Sequence, residues 1–301
     1  GKNANSLSPS QSQLDNLLKY YKNGRYGEAE KLAVTITQQF PECLLGWRVL
    51  GAVFGSVGRK SEAINANQRA VQIDPKDALA HYNLGKTLQD SSRLEEAEAS
   101  YRQAIALRPT FAEAQYNLGN MLNNLGRLEE AEAAYKQVIA LKPDFADAHN
   151  NLGSTLKEMG KLEEAEASYR QAIVLKPDYS EANYNLGVYL FEIGQYGMAA
   201  EQFELNDIYL SKLYAIKCSY LQDKESIFYE KLDSLISEGE SNAIIGSLTC
   251  CSEIKYGIKR PNPFCNEPLQ YVLKTDLNKQ YDFEEIFIKT ARNVLADNLI
   301  A

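Results

Sequence analysis

Five kinds of residue in this 301-residue chain could do chemistry: two histidines, five cysteines, repeated acidic runs, one glycine-rich stretch and a row of asparagines. A non-haem iron site wants two histidines and a carboxylate on one metal. His81 and His149 are the only histidines, and both fall at the fourth position of a repeated segment, where Trp47 stands in another copy. That makes them packing residues, and no metal or other cofactor is expected. Cys43, Cys218, Cys250, Cys251 and Cys265 contain no CxxC pair and are odd in number, which reads as reduced thiols in the cytoplasm. The LEEAE runs recur with the repeat and fit the starts of helices, where acids suit the macrodipole. The stretch GAVFGSVG (51–58) is glycine-rich but holds neither GxxxxGK[ST] nor GxGxxG. The asparagines are different. Asn83, Asn117, Asn151 and Asn185 recur at a fixed interval. An amide side chain both donates and accepts, so a row of them can pair with the backbone of an extended polypeptide whatever its sequence. The chemistry on offer is recognition, and no catalytic residue is assigned.

The element that must position this row is set by Pro41, Pro75, Pro109, Pro143 and Pro177, each 34 residues after the last. A fixed period of this length marks stacked helix-turn-helix units. With the proline at the thirty-second position, the units are 10–43, 44–77, 78–111, 112–145 and 146–179, with a sixth starting at 180. Gly51, Gly85, Gly119, Gly153 and Gly187 mark where the first helix of a unit meets the second. Ala63, Ala97, Ala131, Ala165 and Ala199 are the small residues of the second helix, and Tyr101, Tyr135, Tyr169 and Phe203 its large knobs. Gly58, Gly126, Gly160 and Gly194 fall in the turn, with Ser92 the exception. Trp47, Leu50, Gly51, Phe54, Ala63 and Pro75 follow the W-x2-L-G-x2-Y, A-x3-F, P pattern. The chain thus resembles tetratricopeptide repeat (TPR) proteins. The resemblance implies an all-α fold: a right-handed superhelix of helix-turn-helix units with a divergent helical C-terminal cap.

The asparagines occupy the sixth position of the first helix, which in this geometry faces the concave groove. Tyr82, Tyr116 and Tyr184 precede three of them, and Lys86, Asn120, Asn123 and Asn124 lie one or two turns on. Tyrosine beside amides is typical of surfaces that recognise peptides. The run AHNNLGSTLKEMGKLEEAEASYRQAIVLKPDY (148–179) is similar to the repeats of O-linked N-acetylglucosamine transferases. That resemblance covers about residues 44–190 and implies that Asn83, Asn117, Asn151 and Asn185 bind substrate polypeptides through their backbones. It does not extend to a catalytic domain. TPR proteins that bind chaperone tails clamp a terminal carboxylate with Lys and Arg. Tyr82, Asn117, Asp147 and Asn151 stand at the corresponding positions here, so such a clamp is not expected.

Charge and hydropathy exclude other partners. Residues 1–177 hold as many basic as acidic residues, and residues 178–301 carry the whole net charge of −8. Neither half offers the basic stripe that nucleic acid wants. No apolar run is long enough to span a membrane, and the polar N-terminus has no signal-peptide core. The chain begins without Met, as expected of a processed or excised piece.

Residues 1–9 are expected to be a disordered tail, 10–194 the repeat array and 195–255 a divergent helical cap. In the cap Tyr209, Leu213, Ile216 and Tyr220 share one helical face, Ile227, Leu232, Leu235 and Ile236 the next, and a short helix covers 243–254. Pro261, Pro263 and Pro268 make 256–268 a linker. Residues 269–301 hold an amphipathic helix with Phe283, Ile286 and Phe287 on its apolar face, the expected start of a truncated domain. About residues 205–301 resemble a linker of bacterial TPR proteins that carry a 2-oxoglutarate/Fe(II) oxygenase domain, whose iron ligands would lie outside this chain. The primary expectation is a non-enzymatic module that binds extended protein segments. The alternatives are the substrate-recognition arm of a larger oxygenase or glycosyltransferase, and a scaffold that self-associates through exposed terminal units.

Overall fold

A computed structural model describes residues 8–239 and 243–257. Every regular element among them is an α-helix, and the described residues separate into two compact units, one ending at Leu175 and one beginning at Lys176. The predicted tail (residues 1–7 of it), most of the 256–268 linker and all of 269–301 lie outside the described residues.

The first unit is five helix pairs: α1 (Gln11–Lys22) with α2 (Tyr26–Gln39), α3 (Leu44–Ser56) with α4 (Lys60–Ile73), α5 (Ala78–Asp90) with α6 (Leu94–Leu107), α7 (Ala112–Asn124) with α8 (Leu128–Leu141), and α9 (Ala146–Glu158) with α10 (Leu162–Leu175). The pairs coincide with the five sequence units. Each turn inside a pair closes the same way. The N–H of Arg59, Arg93, Arg127 or Lys161 donates to the carbonyl five residues back, on Phe54, Leu88, Leu122 or Leu156. This closure needs one residue in the left-handed region. Gly58, Gly126 and Gly160 supply it with φ of 78°, 71° and 76°, and Ser92 is forced to 59°.

The close approach of the two helices is visible at the eighth position of each pair. A Cβ added to Gly85, Gly119 or Gly153 would stand 2.8, 2.9 or 2.7 Å from the ring of Tyr101, Tyr135 or Tyr169. Each knob therefore lies flat on the glycine of its own pair. Ala97, Ala131 and Ala165 are fully buried on the same second helices. Successive pairs are tied on their second helices by ion pairs. Glu30 meets Arg59 and Glu98 meets Arg127, both at 2.6 Å, and Glu132 meets Lys161 at 2.7 Å. Glu98 and Glu132 of the acidic runs are thus also partners of the basic residue that opens the next second helix, a role beyond the helix-start one read from the sequence.

The second unit holds α11 (Ser180–Glu192), α12 (Tyr196–Glu204), α13 (Tyr209–Leu221), α14 (Glu225–Ser237) and α15 (Ala243–Tyr256). Its turns repeat the closure: Gly194 has φ of 78°, and Asp223 takes 56° between α13 and α14. Lys224 N–H donates to Ser219 O, five residues back. The turn of the α13–α14 pair thus has the same backbone closure as the turns of the repeats. The core of this pair is Leu213, Ile216, Tyr220, Phe228, Tyr229, Leu232 and Leu235, joined by Ile245 and Leu248 of α15. Phe228, Leu232 and Leu235 are spaced for one helical face, which turns Ile227, expected on that face, outward at 41% exposure.

Candidate peptide-binding surface

Within the first unit, first helices touch each other directly: α3 with α5, α5 with α7, and α7 with α9. They form one continuous face, and the asparagine row lies along it. Asn83 on α5, Asn117 on α7 and Asn151 on α9 are all half-buried.

The structure links these residues across pairs. Asn117 Nδ2 donates to Tyr82 Oη at 3.1 Å, from α7 back to α5. Asn151 Nδ2 donates to Tyr116 Oη at 3.0 Å, from α9 back to α7, and also to Asn120 Oδ1 at 2.9 Å. Tyr135 Oη donates to the same Asn120 oxygen at 2.8 Å. Below this cluster Thr155 Oγ1 lies 2.7 Å from Asn123 Oδ1 and 2.9 Å from Asn151 O. Asn83 stands apart: its backbone oxygen accepts from Thr87 Oγ1 at 2.9 Å, but its amide has no side-chain partner among the described residues. Lys86 and Asn124 are exposed.

The tyrosines are less open than the sequence suggested. Tyr82 packs on Phe111 with ring centroids 5.0 Å apart, and Tyr116 packs on Phe145 at the same distance. Their rings are thereby wedged, and what faces the row is the hydroxyl. Burial raises the Tyr82 phenol above its ordinary value, partly offset by the hydrogen bond from Asn117. Burial raises Tyr101 and Tyr135 as well. All three hydroxyls stay protonated through the physiological range, fixed as neutral donors and acceptors.

Tyr184 and Asn185 belong to the second unit. Tyr184 packs against Phe203 and Tyr214 with centroids 6.1 and 6.3 Å away, and Asn185 is half-buried on α11. The fifth position of the fifth repeat, where a tyrosine would continue the row, holds Asn150, which is fully buried.

Both histidines are engaged structurally. His81 Nε2 lies 3.0 Å from Pro75 O, and His149 Nε2 lies 3.0 Å from Pro143 O. Trp47 Nε1 donates to Pro41 O at 2.8 Å in the same way. The fourth position therefore caps the carbonyl of the proline that precedes its helix, which unites residues as different as Trp and His. Sequence reasoning missed Tyr135 and Thr155 as parts of the polar cluster. The signal was present: each lies at a recurring position whose neighbours in space are the ninth and twelfth positions of a first helix.

Tetratricopeptide-repeat family models match residues 82–146 and 134–167, and a TPR repeat model matches residues 53–92 and 153–194. No curated protein matches significantly. Among solved structures, similar folds include PilF of Pseudomonas aeruginosa, at 20% identity and a TM-score of 0.59, covering 70% of this chain and 98% of that one. The type IV pilus biogenesis factor PilW has 22% identity and a TM-score of 0.56, covering 67% and 96%. YrrB, described as a TPR protein with an unusual peptide-binding site, has 18% identity and a TM-score of 0.50, covering 66% and 96%. These matches are to general repeats and carry no closer likeness to glycosyltransferase repeats or to an oxygenase linker. No helix among the described residues is long and apolar enough to cross a membrane. The helix pairs and the matching models together identify residues 53–194 as a run of tetratricopeptide repeats.

Proposed function

We propose that this protein is a non-catalytic interaction module that binds extended polypeptide segments along the face of α5, α7 and α9. One observation carries the reading: the hydrogen bonds Asn117–Tyr82 and Asn151–Tyr116 align half-buried amides of successive repeats on a single face. Packing does not call for amides there. Leucine at these positions would bury more apolar area against the tyrosine rings, whereas an amide leaves hydrogen-bonding capacity at the surface. Each backbone hydrogen bond adds only about 0.5–1.5 kcal/mol net, so several repeats must act together. The engagement of His81 and His149 by proline carbonyls supports recognition over chemistry. YrrB is a similar fold described with a peptide-binding site; the reading for this chain rests on its own amides. On the same reading the protein works in the cytoplasm, where Cys43, Cys218, Cys250 and Cys251 remain thiols.

The test is binding of a random-sequence peptide array to the chain and to its Asn117→Ala/Asn151→Ala variant, with circular dichroism confirming helicity. Peptides bound by the wild type and lost by the variant support the reading. Equal binding, or no binding to either, contradicts it.

A further inference from the structure

We propose that Asn120 and Asn151 form an oriented donor–acceptor pair that reads the backbone N–H and C=O of a single residue of the bound polypeptide, which face the same edge of an extended strand, and so fixes its direction and register. This rests on the peptide-binding reading above. An asparagine amide on a surface can turn over and offer either its N–H or its oxygen, so an unconstrained row of amides recognises a backbone without polarity. These two amides are held. Asn120 Oδ1 accepts from Tyr135 Oη at 2.8 Å and from Asn151 Nδ2 at 2.9 Å, which uses both of its acceptor positions. Its Nδ2 has no partner among the described residues and is not among their buried unpaired atoms, so it opens to solvent as a donor. Asn151 is held the opposite way. Its Nδ2 gives one N–H to Tyr116 Oη at 3.0 Å and the other to Asn120 Oδ1. What remains is Asn151 Oδ1, which receives only a long bond of 3.3 Å from Asn150 Nδ2 and keeps acceptor capacity. Turning Asn120 over would set donor against donor at the shared bond, and turning Asn151 over would set acceptor against acceptor.

The capacities left over, an N–H of Asn120 and one acceptor position of Asn151 Oδ1, belong to the two amides that the shared bond joins. That is the complement of one C=O and one N–H on the edge of an extended strand. The other rungs differ. Asn83 has no side-chain partner among the described residues, and Asn117 meets only the hydroxyls of Tyr82 and Tyr101, with no second amide to fix it, so both can adapt to either polarity. The rungs are therefore unequal: the α7–α9 junction sets direction, and the α5 side accepts the remainder of the segment in either polarity. The ligand class is an extended segment free of proline at one position, where the N–H that meets Asn151 is required. Its flanking side chains are not read.

The experiment uses the full chain and peptides selected on a random-sequence array. Each selected peptide is scanned by single backbone N-methylation and by single amide-to-ester replacement, and compared with its reversed sequence. The expected result is one position where N-methylation lowers affinity about tenfold, one ester site with a smaller loss, and weak binding of the reversed peptide. Asn120→Asp keeps an oxygen towards Tyr135 and Asn151 while removing the outward donor. It is expected to weaken binding about tenfold and to abolish the ester effect. Tyr135→Phe leaves both amides but removes one of the two bonds that hold Asn120, and is expected to reduce the preference over the reversed peptide. Peptides that bind with no sensitive position, or with equal affinity in both directions, overturn the pair while leaving the peptide-binding reading intact. A wild-type chain that binds no peptide overturns both.

Discussion

Asn117 reaches back 35 residues to donate a hydrogen bond to the hydroxyl of Tyr82, 3.1 Å away on the preceding repeat. The same step relates Asn151 to Tyr116. A polar residue of one repeat is thus oriented by an aromatic of the one before, and the face it builds belongs to the stack and not to any single repeat. In a quasi-one-dimensional fold, interfaces between neighbours carry much of the stability. The hydroxyls therefore serve both stacking and the presentation of the amides.

The first consequence concerns packing at the helix crossing. A Cβ at Gly153 would meet the Tyr169 ring at 2.7 Å. Gly153→Ala removes a glycine from a helix, which by propensity alone favours folding by about 1 kcal/mol. The clash acts against this, and overpacking of a rigid ring costs about 1–3 kcal/mol. The expected net effect is a lower urea midpoint. The loss should shrink when Tyr169→Leu is present, because the ring is the obstacle. A midpoint unchanged or raised by Gly153→Ala alone would contradict the packing account.

Ser92 gives a prediction of opposite sign. Within the first unit it is the residue at an intra-pair turn that takes a left-handed φ, 59°, without being glycine. A non-glycine residue in this region costs about 1–2 kcal/mol, of which glycine's extra unfolded-state entropy takes back part. Ser92→Gly should stabilise the array by about 0.5–1 kcal/mol, read as a rise in thermal midpoint, while Gly126→Ala, at φ of 71°, should lower it.

Much of this was legible in the sequence, because the relevant constraints repeat. The spacing of the prolines gave the pairs, and the eighth-position glycines gave the crossings, since only one residue type fits there. The asparagine row was legible as a row. Its hydrogen bonds were not, because Tyr82 and Asn117 approach each other only after the pitch between repeats is set. Nothing in the order of residues says that Asn120 is shared by Tyr135 and Asn151. The cap was read in outline only. Ile227 was placed on the wrong face because consensus spacing no longer fixed the phase of α14, whereas the buried set Phe228, Leu232 and Leu235 did. Asp223, between α13 and α14, takes the left-handed conformation that glycine takes in most of the other turns, which no glycine in the sequence marked there.

Acid should weaken the stack through its ion pairs. A hydrogen bond from Arg127 holds the Glu98 carboxyl below its usual range, and Lys136 and Lys161 do the same for Glu132. Depressed carboxylate pKa values contribute stability that is present above the unfolded value of about 4.3 and lost as pH falls through the folded values. The thermal midpoint should therefore be flat near neutrality and drop below about pH 4. Glu132→Gln should lower the neutral-pH midpoint slightly and flatten the acid limb. High salt should reduce the difference between variant and wild type, since these pairs are partly exposed.

Loss of one hydroxyl should separate stacking from presentation. Tyr116→Phe keeps the ring against Phe145 but removes the acceptor for Asn151. Its cost to stability should be small, about 0.5–1.5 kcal/mol by urea denaturation. Its effect on peptide affinity should exceed that of Tyr169→Phe, whose hydroxyl contacts Ser154 at 3.2 Å within its own repeat. Equal effects of the two variants on binding would contradict the role given to Tyr116.

The most direct measurement is the side-chain amide NMR spectrum of asparagine-labelled protein, titrated with an array-selected peptide. The account predicts shifts of the Asn83, Asn117, Asn120 and Asn151 amide signals that saturate together, with Asn206 of the second unit unmoved. Peptide binding that leaves those four signals in place would contradict the claim that this face is the binding surface.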